Sequence, residues 1–488
     1  MKKNIFLYSA LALGMAGMFA SCSSDDVVEV SGGNTGTEAT AQVIEIAVDN
    51  TNSLSTRSGR PLTSEEPDQT IEHVAVVITS ADAGTKDKIV YATVIDNWAG
   101  KDAVSSEYGD HSYNSTVANG RSYKLTIPKE KKLPAGDYNI YAVGYSTNSE
   151  YTIKSQAIGT YFEGLGTEPT GKFEPNVVVA NRDGKTEGEE IFAGSTTAAV
   201  NSDLVFTSTV NLYLHRQVAG IYTYVRRIPY IATSGSTNYA NYLRVVASDN
   251  NPQMILGKFL PGTGELGSNG NNTNNHVVNG IGGNDEKVLY VIELAGTNGW
   301  FKKIQDTDDD GLIDYTSENW DVPYRNSQTD RYYGCYFRTG SVFGGEFVIP
   351  FLAKTGQKTL KLQLVYAASA DDAKSLEAGK ATTAKEWNIN LPETNGYNAK
   401  IWSWSNDAWT EGASETSKTA YSILRNHLYG VGKRLKNKPN GDNTDITDPD
   451  PEPDDEDDPE PLDKNTYINL RVNDNWEVIH KMEIEDAD

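Results

Sequence analysis

Apolar residues alternate with polar ones at a period of two along much of the chain, and stretches with helical periodicity are few. The 27 tyrosines and 43 glycines fit this pattern, because aromatic and β-branched residues suit half-buried strands and glycine supplies the turns between them. The alternation restricts the chain to an all-β fold, and the spacing of its segments favours β-sandwiches. Strands are predicted at residues 42–48, 70–78, 89–95, 122–127, 138–145, 176–180 and 210–221.

The 488 residues suffice for two or three domains. The strand at 210–221 is taken as the first of a second domain, which puts the boundary near residue 208, within about ten residues either way. The predicted segments are a lipoprotein signal peptide (1–22), a propeptide with the first strand (23–57), an N-terminal sandwich (58–208), a C-terminal sandwich (209–437), an acidic Pro-rich linker (438–463) and a donor-strand tail (464–488).

The linker differs in kind from the rest of the chain. Of residues 442–463, 12 are acidic, five are Pro and none is Lys or Arg. Like charges repel and Pro favours extended backbone, so this tract is predicted to be a stiffened, disordered spacer. The whole chain has a formal net charge of −24. This charge argues against a nucleic-acid partner, because binding to the phosphate backbone needs clustered Lys and Arg.

Apolar alternation returns beyond the spacer, where a strand has no obvious partner within its own domain. A strand on a long tether can instead fill an open sheet edge in a second copy of the chain, which is donor-strand complementation. Head-to-tail repetition that does not close into a ring makes a filament. The apolar residues predicted to form the donor strand are Ile468, Leu470, Val472, Trp476, Val478, Met482 and Ile484.

The first residues carry the pattern of an export signal. Lys2 and Lys3 precede an apolar run at 5–20, and small residues lead to Cys22. Small residues directly before a Cys resemble the bacterial lipobox, in which the thiol is acylated, as with palmitate, and the Cys becomes the mature N-terminus. Cys22 is therefore the predicted lipid anchor. The chain is expected to reach the cell surface through the lipoprotein export machinery and the outer membrane.

A polar stretch between the first two predicted strands offers a cleavage site. Exposed, Ser- and Thr-rich segments of this type are where proteolysis is easy. The stretch contains Arg57 and Arg60, and Pro61 after Arg60 blocks most Arg-directed proteases. Cleavage is therefore predicted between Arg57 and Ser58, by an Arg-specific surface protease. A sandwich that lost its first strand in this way would expose an apolar slot and unpaired backbone.

Residues 306–314 match the Asp-x-Asp-x-Asp-Gly pattern of calcium-binding loops. Carboxylates at positions 1, 3, 5 and 9 and the carbonyl at position 7 supply hard oxygens, and glycine at position 6 allows the tight turn. Position 12 is Ser317, with Glu318 one place late, and no flanking helices are evident, which disfavours a full EF-hand. The alternative is a solvated turn without an ion. The predicted metal ligands are Asp306, Asp308, Asp310, Leu312 and Asp314.

Both termini, together with two internal segments, resemble the fimbrillins of the Bacteroidetes type V pili. The internal segments are 214–219 (LHRQVA) and 424–429 (LRNHLY), and the tail is closest to that of the minor fimbrillin. The resemblance implies two transthyretin-like Greek-key β-sandwich domains in tandem, Arg-specific cleavage, and polymerisation with copies of itself or related fimbrillins by strand exchange. A chain with both the cleavage site and the donor tail resembles a shaft subunit of a fimbrium at the cell surface, where it would support adhesion.

A surface-retained, glycan-binding lipoprotein is the alternative function. In that case Cys22 keeps its lipid and Trp402, Trp404 and Trp409 contact sugar, although core or edge packing is the other interpretation of these tryptophans. An enzyme is not expected, because the six His are scattered without metal-ligand spacing and no nucleophile motif such as Gly-x-Ser-x-Gly is present. No cofactor is predicted to be required; structural Ca²⁺ in the 306–314 loop is optional.

Overall fold

The computed structural model describes part of the chain, and it is built from β-strands. Within the described residues a five-residue segment, α1 (Ala370–Lys374), is the one α-helix, so the predicted all-β class is confirmed. Each predicted strand overlaps a strand of the structure. In this part of the chain, no helix has the length and apolar character needed to cross a membrane. The described residues are 41–48, 72–96, 122–145, 157–162, 176–180, 191–235, 237–247, 251–257, 277–281, 286–297, 299–321, 337–352, 359–391, 402–405, 408–411, 422–425, 427–432, 460–463 and 467–473.

The described residues of the N-terminal part supply eight strands. Seven of them form one sheet in the order third, second, fifth, seventh, eighth, first, fourth. The seventh and eighth strands are joined by a short stretch of two residue pairs, Phe192↔Arg216 and Ala193↔His215. This short connection separates the sheet into two halves. The strands are β1 (Val43–Val48), β2 (His73–Ser80), β3 (Ile89–Ile95), β4 (Ser122–Thr126), β5 (Gly136–Tyr145), β6 (Asn176–Ala180), β7 (Phe192–Val200) and β8 (Val210–Arg216).

Buried residues from both halves of this sheet share one core, which makes the unit sandwich-like. On β2, Val74, Val76 and Ile78 belong to this core, whereas Val77, on the opposite face, belongs to a second cluster. Because side chains alternate across a strand, β2 is buried on both faces and reads as a nearly continuous apolar run. We call this unit the N-terminal sandwich.

The C-terminal part forms a larger, nine-stranded sheet with a single large core, which we call the C-terminal sandwich. Its strands are β9 (Ala219–Arg226), β10 (Tyr242–Ala247), β14 (Lys287–Glu293), β15 (Ser341–Val348), β17 (Thr359–Ala367), β18 (Ala381–Asn390), β22 (Leu428–Val431), β23 (Glu460–Pro461) and β24 (Tyr467–Asn473). The order is β14-β10-β17-β18-β24-β22-β9-β15, and β23 pairs with β9. Shorter strands flank it: β11 (Gln253–Gly257), β12 (Val277–Val278), β13 (Gly280–Ile281), β16 (Phe351–Leu352), β19 (Trp402–Ser405), β20 (Ala408–Glu411) and β21 (Ser422–Ile423).

The strand predicted at 210–221 is in fact two strands in different sheets. β8 completes the N-terminal sheet and β9 begins the C-terminal one. The chain crosses between the sheets at Gln217, which is fully buried and donates its backbone N–H to the Ile191 carbonyl. The chain thus passes from one sheet to the other after β8, and the domain boundary near residue 208 stays a prediction. No Gly, Pro, Asn or Asp lies between Leu214 and Ala219, so the sequence carries none of the usual turn residues at the crossing.

The two sandwiches share a buried cluster at their junction. Tyr141 and Val143 of β5 join Met254 and Leu256 of β11 in this cluster, together with Phe347 of β15. In addition, β6 pairs antiparallel with β11, so backbone hydrogen bonds also connect the two parts. The junction is thus built like a domain core, with apolar side chains excluded from water on both sides.

Candidate assembly site: the two terminal strands

β1 is enclosed on both edges within its half of the N-terminal sandwich. It pairs antiparallel with β4 through residues 43–47 and parallel with β8 through residues 44–48. Successive side chains of a strand point to opposite faces, so the alternating residues Ile44 and Ile46 face the same side. Both are fully buried in the N-terminal core. The apolar alternation that predicted this strand is therefore the pattern of a core-facing strand.

Loss of β1 would open the core of the N-terminal sandwich. Ile44 and Ile46 lie opposite Val210 and Leu212 of β8, and these partners are buried in the same core. Each buried Ile contributes about 1.5–3 kcal/mol relative to exposure, and each ladder hydrogen bond about 1 kcal/mol net. The slot that β1 fills is therefore apolar along its floor and has unpaired backbone along both edges once the strand is removed.

Gln42, directly before β1, fixes one end of the strand. Its side-chain amide donates to the backbone carbonyls of Leu133 (2.9 Å) and Leu204 (3.1 Å) and accepts from the Leu133 N–H (2.8 Å). Its own carbonyl accepts from the Ile127 N–H, and the residue is fully buried. Sequence reasoning used Gln42 only as the start of the alternation. The signal it missed is a polar residue in phase with the core-facing positions.

β24, formed by the tail, lies inside the C-terminal sandwich. Residues 467–469 pair parallel with β18, and residues 470–473 pair antiparallel with β22. The registers set Ile468 opposite Ile389, Leu470 opposite Val431, and Val472 opposite Tyr429. These three partners are Ile389, Tyr429 and Val431, and all are buried in the C-terminal core. The apolar positions predicted for the tail are thus in register with core positions of its neighbours.

The chain docks onto the C-terminal sandwich shortly before β24. Leu462 is fully buried in the C-terminal core. Its N–H donates to the Arg226 carbonyl, and its carbonyl accepts from the indole N–H of Trp387 at 3.2 Å. Next to it, the Arg227 guanidinium donates to the Asp463 carboxylate at 2.8 Å, and this hydrogen bond raises the pKa of Arg227. Residues 460–463 therefore anchor the start of the tail.

Two expectations about the C-terminus are corrected by this geometry. The spacer was predicted to run to residue 463, yet its last four described residues are part of the fold, because Leu462 supplies an apolar anchor within an otherwise acidic, Pro-rich tract. The tail was expected to have no partner in its own domain, yet residues 467–473 complete the C-terminal sheet. Open backbone edges on β18 and β22 give the tail a place to dock in its own chain.

Several predicted site residues lie outside the described residues. These are the lipidation residue Cys22, the cleavage residues Arg57 and Ser58, and the distal tail residues Trp476, Val478, Met482 and Ile484. The tryptophans of the alternative function fall on the β19–β20 hairpin, in which Trp404 pairs with Trp409 and Trp402 with Glu411.

The predicted calcium loop brings three of its carboxylates together. One oxygen from each of Asp306, Asp308 and Asp314 lies within 4.8 Å of the others. Asp310 instead accepts from the Leu312 N–H at 2.9 Å, so its carboxylate stabilises the turn. Three of the five predicted ligands are thus placed as a group.

The loop is held in shape by its own hydrogen bonds. Gly311 has φ +80°, a conformation that favours glycine, and its N–H donates to Asp306 at 2.9 Å. Asp314 accepts from the Thr307 N–H at 3.0 Å, which lowers its pKa. Partial desolvation and the charge of Asp310 raise the pKa of Asp308. The loop therefore holds three carboxylates close together.

The two internal segments 214–219 and 424–429 meet at the junction of the sandwiches. Gln217, from the first, accepts at its side-chain oxygen from the Arg425 guanidinium of the second at 3.4 Å. Asn279 donates to the Gln217 and Ile255 backbone carbonyls at 3.0 and 3.1 Å. Burial lowers the pKa of Arg425. This polar cluster fixes the crossing between the sheets, a structural role for these segments.

Comparisons with known proteins give distant likenesses. No protein-family model and no curated protein matches the chain. Among solved structures, it is similar to the fimbrial anchor protein of Porphyromonas gingivalis, with 9% identity and a TM-score of 0.30 over 79% of this chain and 99% of the other. It is also similar to a candidate cell-adhesion protein from Bacteroides eggerthii, with 10% identity and a TM-score of 0.33 over 89% of this chain and 95% of the other.

A candidate adhesin from Bacteroides ovatus gives 9% identity and a TM-score of 0.33 over 77% of this chain and 96% of the other. The names of all three structures refer to adhesion or to fimbriae. At TM-scores this low, the function of the chain is inferred from its own terminal strands.

Proposed function

We propose that this chain is a fimbrillin, a structural subunit of a surface pilus that polymerises by protease-triggered donor-strand exchange and supports adhesion. The precursor travels to the cell surface as a lipoprotein acylated at Cys22 and is held transiently in the outer membrane. An Arg-specific protease then cuts between Arg57 and Ser58. The tail of another copy, or of a related fimbrillin, replaces the strand that is lost.

The position of β1 is the observation that carries this proposal. The segment upstream of Arg57 supplies a strand enclosed on both edges and buried against the core. Cleavage after Arg57 would cut its covalent link to the fold and leave it held by noncovalent contacts alone. A strand with the same apolar phase can then compete for the slot, as in other cases of β-strand addition.

The tail has the properties that such a competitor needs. Ile468, Leu470 and Val472 repeat at the same period of two as the core-facing residues of β1. Each apolar residue buried in the slot would contribute about 1.5–3 kcal/mol. Docking of residues 467–473 onto their own C-terminal sandwich gives the tail a resting place before exchange.

Controlled proteolysis tests the proposal. The purified precursor, treated with an Arg-specific protease, should yield a chain that begins at Ser58 and forms ladders on mild-denaturant gels. Arg57→Ala should abolish both results, and Arg60→Ala is the matched control that should abolish neither. Deletion of residues 466–488 should leave a folded monomer that is cleaved but forms no ladder.

Two outcomes would contradict the proposal. Ladders that persist in the tail deletion would refute strand donation by the tail. N-terminal sequencing of material sheared from cells is the second test, because a start at Ser58 supports a processed fimbrillin. A blocked, acylated Cys22 would instead favour the surface-retained glycan-binding lipoprotein.

We also propose that the 306–314 loop binds structural Ca²⁺ and is stiffened by it. Asp306, Asp308 and Asp314 supply three clustered carboxylates, and oxygen ligands are what Ca²⁺ prefers. Affinity is expected at about 10⁻⁴–10⁻³ M, as in extracellular modules. Close carboxylates repel one another without a cation; after desolvation, which is the larger cause, the charge of Asp310 also raises the pKa of Asp308.

Replacement of Asp308 by Asn tests the calcium proposal, because its effect on the melting temperature should differ between calcium-free and calcium-containing buffer. A carboxylate whose pKa is raised in the folded state destabilises that state above its pKa, so Asp308→Asn should raise the melting temperature without calcium. The same variant should lose most of the calcium-induced rise. Affinity should weaken as pH falls through the raised pKa of Asp308, because ligands must be deprotonated.

Asp309→Asn is the matched control for this experiment. Asp309 has φ +58°, a conformation that Asn tolerates, and it lies outside the carboxylate group. Its calcium response should match the wild type. Absence of calcium heat in titration calorimetry, with an unchanged melting temperature for Asp308→Asn, would refute the site.

A further inference from the structure

The end of the β1 slot is lined by three backbone groups that the side chain of Gln42 connects. They are the Leu133 N–H, the Leu133 carbonyl and the Leu204 carbonyl, at 2.8, 2.9 and 3.1 Å from the Gln42 amide. The Gln42 carboxamide offers two N–H donors and one oxygen acceptor. It can therefore bond the one backbone donor and the two backbone acceptors at the same time. Gln42 and Leu133 are both buried, so water does not readily replace the two bonds to Leu133. The bond to the carbonyl of Leu204, a residue that is 39% exposed, is only partly buried.

We propose that this position is a strand-selection site: Gln42 locks β1 in its slot, and an incoming strand is discriminated by the side chain that it places there. The inference rests on the proposed function and adds to it a determinant of which strand is held. Backbone pairing is available to a strand of any sequence, and apolar side chains tolerate exchange. The three polar groups at the slot end instead require a hydrogen-bonding side chain at one position of the strand, two residues before its first core-facing apolar residue.

The phase follows from the sequence of β1. Gln42 lies two residues before Ile44 and four before Ile46, so all three alternate on one face. In the tail, the same spacing before Ile468 and Leu470 falls on Thr466. The segments 42–48 (QVIEIAV) and 466–472 (TYINLRV) therefore align with a polar residue at the first position and apolar residues at the third, fifth and seventh.

The two side chains at the selection position differ in reach and in donors. A Thr hydroxyl has one donor and is shorter than a Gln amide, so it cannot donate to both carbonyls while it accepts from the Leu133 N–H. Leaving a buried donor or acceptor without a partner is costly. The tail therefore satisfies the slot end less well than β1 does. This difference keeps the uncleaved precursor from exchanging strands early and makes cleavage the step that permits assembly.

Peptide binding to the cleaved protein tests the selection site directly. Fluorescent peptides of residues 464–475 are made with the natural Thr466, with Thr466→Gln and with Thr466→Leu, and are added to the full precursor after cleavage at Arg57. The affinity of the Gln peptide should be at least about tenfold higher than that of the Leu peptide, and the affinity of the Thr peptide should lie between the two. Equal binding of the three peptides would overturn the inference and leave strand exchange standing. Failure of every peptide to bind would overturn the proposed function itself.

A second measurement uses the uncleaved precursor. Gln42→Leu keeps the bulk of the side chain and removes its hydrogen bonds, and it should speed uptake of the Thr peptide about tenfold to a hundredfold. Gln363→Leu is the matched control, since Gln363 is a buried residue of β17 that bonds Arg244 and Glu386 in the other sandwich. Equal acceleration by both variants, or by neither, would overturn the role of Gln42.

Discussion

The first and last strands of the described residues, β1 and β24, occupy similar places in the two sandwiches but are held to different extents. β1 and β24 each have one parallel and one antiparallel neighbour. Residues 44–47 of β1 pair on both edges at once. Within β24, residues 467–469 pair with β18, and residues 470–473 pair with β22. β1 is thus enclosed along its length, whereas β24 is held by one edge at a time.

This difference suits the two strands to different roles. Each ladder bond contributes about 1 kcal/mol net, so a residue paired on both edges is held by about twice as many bonds as one paired on a single edge. β24 can open in steps, because the release of one half leaves the other half paired, as in local unfolding. In the proposed assembly, the pairing of β1 fits a strand that stays in place until cleavage, and the pairing of β24 fits a strand that can leave its own sheet.

The largest expected effect comes from a charge placed on each strand in turn. Ile46→Asp buries a carboxylate in the N-terminal core and should destabilise the precursor by more than about 4 kcal/mol. Leu470→Asp makes the same change in β24 and should cost clearly less, because the tail can detach and place the carboxylate in water. Urea unfolding of the two variants measures the difference in free energy.

The control for this pair is Thr126→Asp. Thr126 is exposed and lies opposite Val43 on β4, so its replacement should change stability by no more than about 0.5 kcal/mol. Equal costs for Ile46→Asp and Leu470→Asp would contradict the comparison, since they would mean that the tail is as firmly enclosed as β1.

The strands were predictable from sequence wherever apolar alternation was bounded by polar residues. β3 and β6 were predicted to the residue, and β1 and β4 to within one residue. The crossing at Gln217 was not predictable, because no Gly, Pro, Asn or Asp lies between Leu214 and Ala219 to mark a turn from one core to the next. Alternation of apolar and polar residues indicates that a side chain is buried, but it does not indicate in which of the two cores the side chain lies.

The candidate site was predictable in its apolar part and not in its polar part. Ile468, Leu470 and Val472 were found by their period, and their register with core positions agrees with it. Leu462 was missed because it is a lone apolar residue in a tract of acids and prolines, and a single residue has no period. Gln42 was missed because a polar residue in a strand is ordinarily assigned to the solvent face.

The anchor before the tail gives the next largest effect. Leu462→Ala removes a fully buried side chain from the C-terminal core and should cost about 2–4 kcal/mol. Because Leu462 precedes β24, the loss should also increase hydrogen exchange of the β24 amides more than that of the β1 amides. Mass-spectrometric hydrogen exchange on the intact precursor measures both strands in one experiment.

Leu376→Ala is the matched control, since Leu376 is 41% exposed on the same sandwich. It should leave exchange of both strands close to the wild type. Faster exchange of β1 and β24 together in Leu462→Ala would show that the two strands open as one unit, which contradicts the separate behaviour inferred from their pairing.

The smallest expected effect concerns the ion pair beside the anchor. Arg227 and Asp463 are partly exposed, so Arg227→Met should cost less than about 1 kcal/mol and should speed exchange of the β24 amides by about twofold to fivefold. Salt at about 1 M should produce a similar increase in the wild type, because it screens exposed charges. Lys380→Met is the matched control, since it removes a partly exposed pair with Asp372 of α1, at the end of β18 that does not pair with β24. If Lys380→Met loosens β24 as much as Arg227→Met, the ion pair between Arg227 and Asp463 does not act on the tail, and Leu462 alone holds its start.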